Sequence, residues 1–125
     1  MVNVVVVEQV LSPGSVLCKI LLQDAGHEVT RAGLIPPEKA EDISVRVRQA
    51  DVVVLSTTSH VISPERRQGF YEELRTYGKP IVIADTNLCE SPIAVDVGDT
   101  YIATFSERAR FPELLISAVD QASKR

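Results

Sequence analysis

Five short apolar runs, rich in β-branched residues, constrain the fold of this 125-residue chain more than any other feature. The first run, Val2 to Val7, lacks a regular alternation of polar and apolar side chains, which is typical of a strand buried on both faces of a parallel sheet. Four similar runs follow it at His27 to Ala32, Asp51 to Leu55, Pro80 to Ala84 and Thr100 to Phe105. We therefore predict five strands.

Helical patterns separate these strands. Ser12 can cap a first helix that has Pro13 at its first position and Gly26 as its stop. A third helix opens at Ser63-Pro64 and stops at Gly78, and Gly69 inside it indicates close packing on the sheet. The four predicted apolar faces are Val16, Leu17, Ile20 and Leu21; Ala40, Ile43, Val47 and Ala50; Phe70, Leu74 and Tyr77; and Phe111, Leu115, Ala118 and Ala122.

Strands that alternate with helices through short connections predict a three-layer α/β/α sandwich with a mainly parallel, doubly wound, flavodoxin-like sheet. A loop from Asp85 to Ser91, with at most a short helix near residues 92–97, breaks the alternation after the fourth strand. We find no linker, repeat or low-complexity segment. The chain is therefore expected to form one domain over residues 1–125.

Composition excludes several classes of function. The formal net charge is −4, and the Lys and Arg residues are dispersed, so the sequence predicts no nucleic-acid partner and no anionic membrane surface. The longest apolar run, Val4 to Val7, is far shorter than the ~18 residues of a membrane span. Cys18 and Cys89 have no metal-ligand spacing around them. We expect a reduced, cytoplasmic protein without a metal or another cofactor.

Ligands of open parallel sheets bind at the carboxyl ends of the strands, near the point where the strand order reverses. This rule selects the polar residues that follow the predicted strands. The candidate ligand-binding residues are Glu8 and Gln9; Ser56, Thr57, Thr58, Ser59 and His60; Asp85, Thr86 and Asn87; and Thr104 and Ser106.

None of these candidates completes a reaction centre by its sequence pattern. Glu8 and Asp85 could act as paired carboxylates if their strands were neighbours, although capping of the next helix is the simpler role for each. The hydroxyl-rich run from Ser56 to Ser59 could contact a phosphate or a sugar, yet it contains no glycine that would let a phosphate approach. His60 has no nucleophile elbow beside it. The catalytic residues, if any exist, cannot be assigned.

The order and spacing of several segments resemble the C-terminal α/β sandwich domain of glycoside hydrolase family 3, especially its bacterial β-N-acetylglucosaminidase branch. The segments are Val7 to Gly14, Gly26 to Val29, Pro36 to Glu38, Ala50 to Leu55, Gly78 to Ile83 and Tyr101 to Ser106. In that family a (β/α)₈ barrel of ~250 residues carries the nucleophile, and this chain is too short to contain one. The resemblance implies a non-catalytic domain that packs on a barrel partner and helps to shape a carbohydrate site.

Two other families with this architecture are also similar to the chain. The stretch from Gly26 to Ser56 resembles cobalamin-binding domains, but Leu11 stands at the position of their cobalt-ligating histidine. The runs Val4 to Glu8 and Gly26 to Val29 resemble a response-regulator receiver domain. In that comparison Ser56 falls at the phospho-acceptor aspartate, Gln9 and Val10 at the acidic pair, and Thr104 at the lysine.

These resemblances lead to two functional hypotheses. The first is an accessory domain, or a free-standing relative, of a family 3 glycosidase. The alternative is a module for protein interaction or ligand sensing, either a degenerate cobalamin fold or a pseudo-receiver that signals without aspartyl phosphorylation. The missing carboxylates at Ser56, Gln9 and Val10 would leave such a pseudo-receiver unable to hold Mg²⁺.

Overall fold

A computed structural model describes residues 2–10, 13–35, 40–57, 64–85, 100–104 and 109–124. Its helices and strands are β1 (Asn3–Val10), α1 (Pro13–Asp24), β2 (Glu28–Ile35), α2 (Ala40–Gln49), β3 (Val52–Thr57), α3 (Pro64–Arg75), β4 (Ile81–Asp85), β5 (Thr100–Thr104) and α4 (Phe111–Ser123). The five strands pair in parallel in the order β2-β1-β3-β4-β5. This arrangement confirms the predicted doubly wound, flavodoxin-like sheet, whose order reverses between β1 and β3.

Both faces of the central strands are buried, which explains their β-branched composition. Val4 and Val6 of β1 point into a core formed with α1 and α4. Val5 and Val7 point into a second core, formed with α2 and α3 on the opposite face. The helices therefore lie in two layers, and the sheet between them contributes side chains to both cores.

The buried face of α1 differs from the predicted one. Cys18 and Leu22 are fully buried against the sheet, whereas Val16 and Ile20 are exposed. Leu17 and Leu21 are only partly buried at the margin of the same core. The helix is apolar almost all round, so the spacing of its apolar residues did not identify the face that packs. The predicted face of α4 is confirmed, because Phe111, Leu115, Ala118 and Ala122 are all buried.

Buried polar contacts join the layers at a few points. The hydroxyl groups of Tyr71 on α3 and Thr100 on β5 share a buried hydrogen bond of 2.6 Å. His27, which precedes β2, accepts the Val2 backbone N–H at Nδ1 over 3.3 Å and places Nε2 3.6 Å from a carboxylate oxygen of Asp120 on α4. These contacts attach the edges of the sheet to α3 and α4.

Gly69 within α3 and Gly78 in the turn that follows the helix have different roles. Gly78 has φ +72°, a left-handed conformation that ends the helix as predicted. Gly69 is exposed, and a Cβ built on it would meet nothing within 4 Å. The prediction that Gly69 packs closely on the sheet is therefore wrong.

We expect Gly69→Ala to raise the free energy of unfolding by up to ~1 kcal/mol, because alanine loses less backbone entropy in a helix and has room here. Gly78→Ala is the matched control. It should lower the free energy of unfolding by about 1–2 kcal/mol, because its φ places a Cβ in the left-handed region. Urea denaturation of both variants measures the two effects, and a loss of stability in Gly69→Ala would show a hidden contact at that position.

Candidate functional site

The carboxyl ends of β1, β3 and β4 lie side by side at one edge of the sheet. Thr57 is level with Asp85 in the parallel register. Val7 is level with Leu55, so the next residues along the two strands, Glu8 and Ser56, are level as well. We call this edge, with its candidate residues Glu8, Gln9, Ser56, Thr57 and Asp85, the carboxyl-end rim.

The strands extend further than the sequence predicted. β1 continues through Glu8 and Gln9 to Val10, β3 includes Ser56 and Thr57, and β4 ends at Asp85. These candidates are therefore strand residues and do not follow the strands. Thr104 ends β5 and is level with Asp85. The other candidates lie outside the described residues: Thr58, Ser59, His60, Thr86, Asn87 and Ser106.

Glu8 and Asp85 do not meet the condition for paired carboxylates. β3 lies between their strands. Because neighbouring strands are ~4.8 Å apart, the two backbone positions are separated by roughly twice that distance. The structure therefore gives no support to acid/base chemistry shared by these two carboxylates.

Glu8 is fully buried and belongs to the face that α1 covers. It continues the alternation of Val4 and Val6, which point toward α1 and α4. Its negative charge acts on Cys18 of α1, as described below. A buried charge is costly unless hydrogen bonds or opposite charges compensate it.

Cys18 has a strongly perturbed thiol. Burial, together with a smaller contribution from the negative charge of Glu8, raises the pKa of Cys18 from 9.0 to about 12. Both effects disfavour the thiolate, which is the nucleophilic form of cysteine. Cys18 is therefore a core residue and not a nucleophile.

A second buried polar residue of α1, Ser15, lies in the same layer. Its Oγ accepts a hydrogen bond of 3.0 Å from Nε of Arg31 on β2. Neither residue was a sequence candidate. Ser15 could have been found as the continuation of the buried spacing Ser15, Cys18 and Leu22 along α1.

Ser56 differs from Ser15 in its surroundings. Only 2% of Ser56 is exposed, and its Oγ makes no hydrogen bond to any residue that the structure describes. It continues the alternation of Val52 and Val54, so it lies on the same face as Glu8. A buried hydroxyl that makes no hydrogen bond costs about 1–3 kcal/mol of stability. Such a hydroxyl is unusual in a residue with a purely structural role.

The described part of the rim does not assemble a reaction centre. No group of three or more His, Cys, Asp or Glu residues among the described residues could hold a metal ion. Within the same residues, no helix is both long and apolar enough to cross a membrane.

Comparisons with known proteins show the fold of the chain. No protein-family model and no curated protein matches the sequence. Among solved structures, the chain is similar to the chemotaxis response regulator CheY4 of Vibrio cholerae, with 20% identity, a TM-score of 0.57 and coverage of 98% of each chain. It is also similar to a response regulator receiver domain protein from Bacillus halodurans, with 18% identity, a TM-score of 0.57 and coverage of 96% and 95%.

These similarities change the ranking of the two functional hypotheses. The structural neighbours are receiver domains, which agrees with the weaker of the resemblances seen in the sequence. Nothing supports the resemblance to glycoside hydrolase family 3, and the hydrolase and carbohydrate assignments have no support either. A catalytic barrel as the partner stays a prediction.

We expect Ser56→Ala to leave the free energy of unfolding unchanged or to raise it by about 1 kcal/mol, because the substitution removes a buried hydroxyl that makes no hydrogen bond to any described residue. Ser15→Ala removes the same atoms from an equally buried serine. It should lower the free energy of unfolding by about 1–3 kcal/mol, because it removes the acceptor of a charged donor. If urea denaturation shows equal losses for both variants, the Ser56 hydroxyl is hydrogen-bonded in solution.

The thiol of Cys18 should resist alkylation in the folded protein. In a Cys89→Ser variant at about pH 8, a pKa near 12 in place of 9.0 reduces the thiolate fraction roughly a thousandfold. Iodoacetamide labelling, followed by intact mass, should therefore be very slow in buffer and fast in concentrated urea. Rapid labelling of the folded protein would contradict the burial of Cys18.

The same shift makes stability depend on alkaline pH. Above pH 9 the unfolded chain loses the Cys18 proton while the folded chain keeps it until about 12, so the free energy of unfolding falls as the pH rises through this range. Cys18→Ala should remove this contribution. Urea denaturation of Cys89→Ser, with and without Cys18→Ala, measures it at several pH values.

Proposed function

We propose that this chain is a pseudo-receiver: a protein-interaction module with the receiver fold that does not use aspartyl phosphorylation. The observation that carries the proposal is the combination of an end-to-end receiver fold with a buried serine at the carboxyl end of a central strand. The fold provides the scaffold of a signalling domain, whereas the serine cannot form an acyl phosphate.

The extent of the structural similarity supports a whole receiver-like domain. The alignment with the chemotaxis response regulator covers 98% of both chains, so the similarity extends over nearly the whole of each. At 20% identity this similarity concerns the fold, and the chemistry has to be argued from the residues of this chain.

Ser56 supports the absence of phosphorylation in two ways. It stands where the sequence comparison with receiver domains places the phospho-acceptor aspartate, and a hydroxyl is not the carboxylate that an acyl phosphate requires. Its side chain is also buried, so a phosphodonor could reach it only after the rim opened. Neither Gln9 nor Val10 provides the carboxylates that would bind Mg²⁺.

A module of this kind would bind its partner in one permanent state. In a phosphorylated receiver, a local charge added at the rim shifts an equilibrium between two conformations. Without that charge, affinity for a partner depends only on the surface that the fold presents. The control of such a module would come from its abundance or from a different ligand.

Incubation with acetyl phosphate and Mg²⁺ tests the proposal. We expect intact mass spectrometry under neutral conditions to show no added phosphate. Beryllium trifluoride, which mimics an acyl phosphate, should leave the ¹H–¹⁵N spectrum unchanged. A receiver domain that has its acceptor aspartate serves as the positive control for both reagents.

Partner binding provides the second measurement. A protein identified by affinity purification should be purified and titrated with this chain, and its Kd should be the same with and without acetyl phosphate. One acid-labile phosphate on the chain, or a Kd that changes when acetyl phosphate is added, would overturn the pseudo-receiver assignment.

A further inference from the structure

A cleft of about 590 Å³ opens at the end of the sheet opposite to the carboxyl-end rim. It lies between the turn that follows α3 and the last turn of α4. Its volume is within the range of small-molecule sites, and both apolar and charged residues form its walls. The residues that matter for its chemistry are Asp51, Arg75, Lys79, Pro80 and Ala122.

Two opposite charges line this cleft where neighbouring strands begin. Asp51 immediately precedes β3, Lys79 lies two residues before β4, and the two strands pair from Val53 and Ile81 onward. Asp51 and Lys79 nevertheless form no ion pair with each other or with any other residue that the structure describes. Lys79 is half-buried, where an ammonium without a partner loses part of its hydration.

The Asp51 carboxylate has a fixed position. Its Oδ2 accepts the backbone N–H of Asn3 over 3.0 Å, and its own backbone N–H donates to the carbonyl oxygen of Asn3 over 2.8 Å. These bonds hold the carboxylate at the start of β3, with Oδ1 available on the other side of the group. Asp51 is exposed, so a ligand can reach it.

Arg75 provides a second oriented cation on the same wall as Lys79. Its guanidinium lies 6.0 Å from the ring centroid of Tyr71 and 3.4 Å from a carboxylate oxygen of Glu72. Because Arg75 and Ser123 end their helices, the negative ends of the α3 and α4 dipoles also fall beside the cleft. The cleft therefore has one part that suits a carboxylate and another that suits an ammonium group.

We propose that this cleft binds a small zwitterion of the α-amino-acid class. The carboxylate of the ligand would pair with Lys79 and Arg75, and its ammonium group would pair with Asp51 and the helix ends. Pro80 and the buried Ala122 give the cleft an apolar wall, so the side chain of the ligand would be apolar. This site is independent of the pseudo-receiver proposal, because it involves neither the rim nor a phosphodonor.

Titration of the ¹⁵N-labelled chain with leucine, valine, methionine and phenylalanine tests the site. We expect at least one of them to produce saturable shifts of the backbone amides of residues 51, 75, 78 and 79. Leucine amide lacks the carboxylate and N-acetylleucine lacks the ammonium group. Each should bind roughly tenfold or more weakly than leucine. If another amino acid binds best, its amide and its N-acetyl derivative replace those of leucine in this comparison.

Three variants complete the experiment. Lys79→Met and Asp51→Asn should each weaken binding roughly tenfold, and asparagine keeps an acceptor for the Asn3 N–H. Lys19→Met, on α1 and away from the cleft, should bind like the wild type. The comparison of the amino acid with its derivatives uses only the wild-type chain, so it holds even if a variant fails to fold.

Two results would overturn the proposal. One is the absence of shifts at these amides with all four amino acids at concentrations up to roughly 10 mM. The Kd would then lie above that concentration, which is too weak for a small-molecule site. The other is equal binding of the amino acid and its N-acetyl derivative, which would show a simple anion site without a role for Asp51.

Discussion

The burial of both faces of β1 and β3 is the constraint on which the rest of the structure depends. The valines at positions 4–7 and 52–54 are 0–2% exposed, so each strand needs a helix layer on both sides. α1 and α4 cover one face and α2 and α3 cover the other. Burial of a valine side chain contributes about 1.5–3 kcal/mol, and no arrangement of this chain with one helix layer could bury both sets. The reversal of strand order between β1 and β3 meets that requirement, because it places helices on both faces of the sheet.

This constraint also decides what happens to the polar residues at the ends of the strands. Because β1 stays paired with β2 at Glu8, and β3 stays paired with β4 at Ser56, these two residues continue the strands and are buried in the same layer as the valines before them. Glu8 then loses water and raises the pKa of Cys18, while Ser56 has no described partner. Polar burial of this kind costs stability, and such residues persist in a core where they determine a structure or a function. The rim of this domain is thus a closed, packed edge at the positions of Glu8 and Ser56.

Much of the fold could be predicted from the sequence, and the errors have physical reasons. The five strands and four helices were predicted because each run has the length and composition of its element. The strand ends were placed too early, since polar residues such as Glu8 and Ser56 break the apolar pattern without breaking the backbone ladder. The face of α1 was rotated because a helix that is apolar all round gives no periodic signal. For the same reason exposed residues such as Val16 and Ile20 were assigned to the core.

The family was harder to predict than the fold. The segments that resembled the glycosidase domain are β-branched strands, a glycine that ends a helix, and a Pro-rich entry to the next helix, and every doubly wound domain needs these features. Residues that distinguish one family from another lie at the ends of the strands. There the sequence pointed to Ser56, Gln9 and Val10 as departures from the receiver pattern. These departures became informative only when the fold showed that the comparison with receiver domains applies. The position of Glu8 and Ser56 near the carboxyl ends of β1 and β3 could be predicted, but their burial could not, and a ligand site at this end stays a prediction.

The two ends of the sheet differ in a way that bears on function. In a doubly wound domain the positive ends of the helix dipoles meet at the carboxyl ends of the strands, which is why anionic ligands usually bind there. Here the side chains of Glu8 and Ser56 are buried at that end, and Glu8 already places a carboxylate within it. At the opposite end, Asp51 and Lys79 line a cleft and are not paired with each other, beside the negative ends of α3 and α4. The two ends of the sheet thus differ in the exposure of their polar groups: Glu8 and Ser56 are buried at one end, whereas Asp51 is exposed at the other.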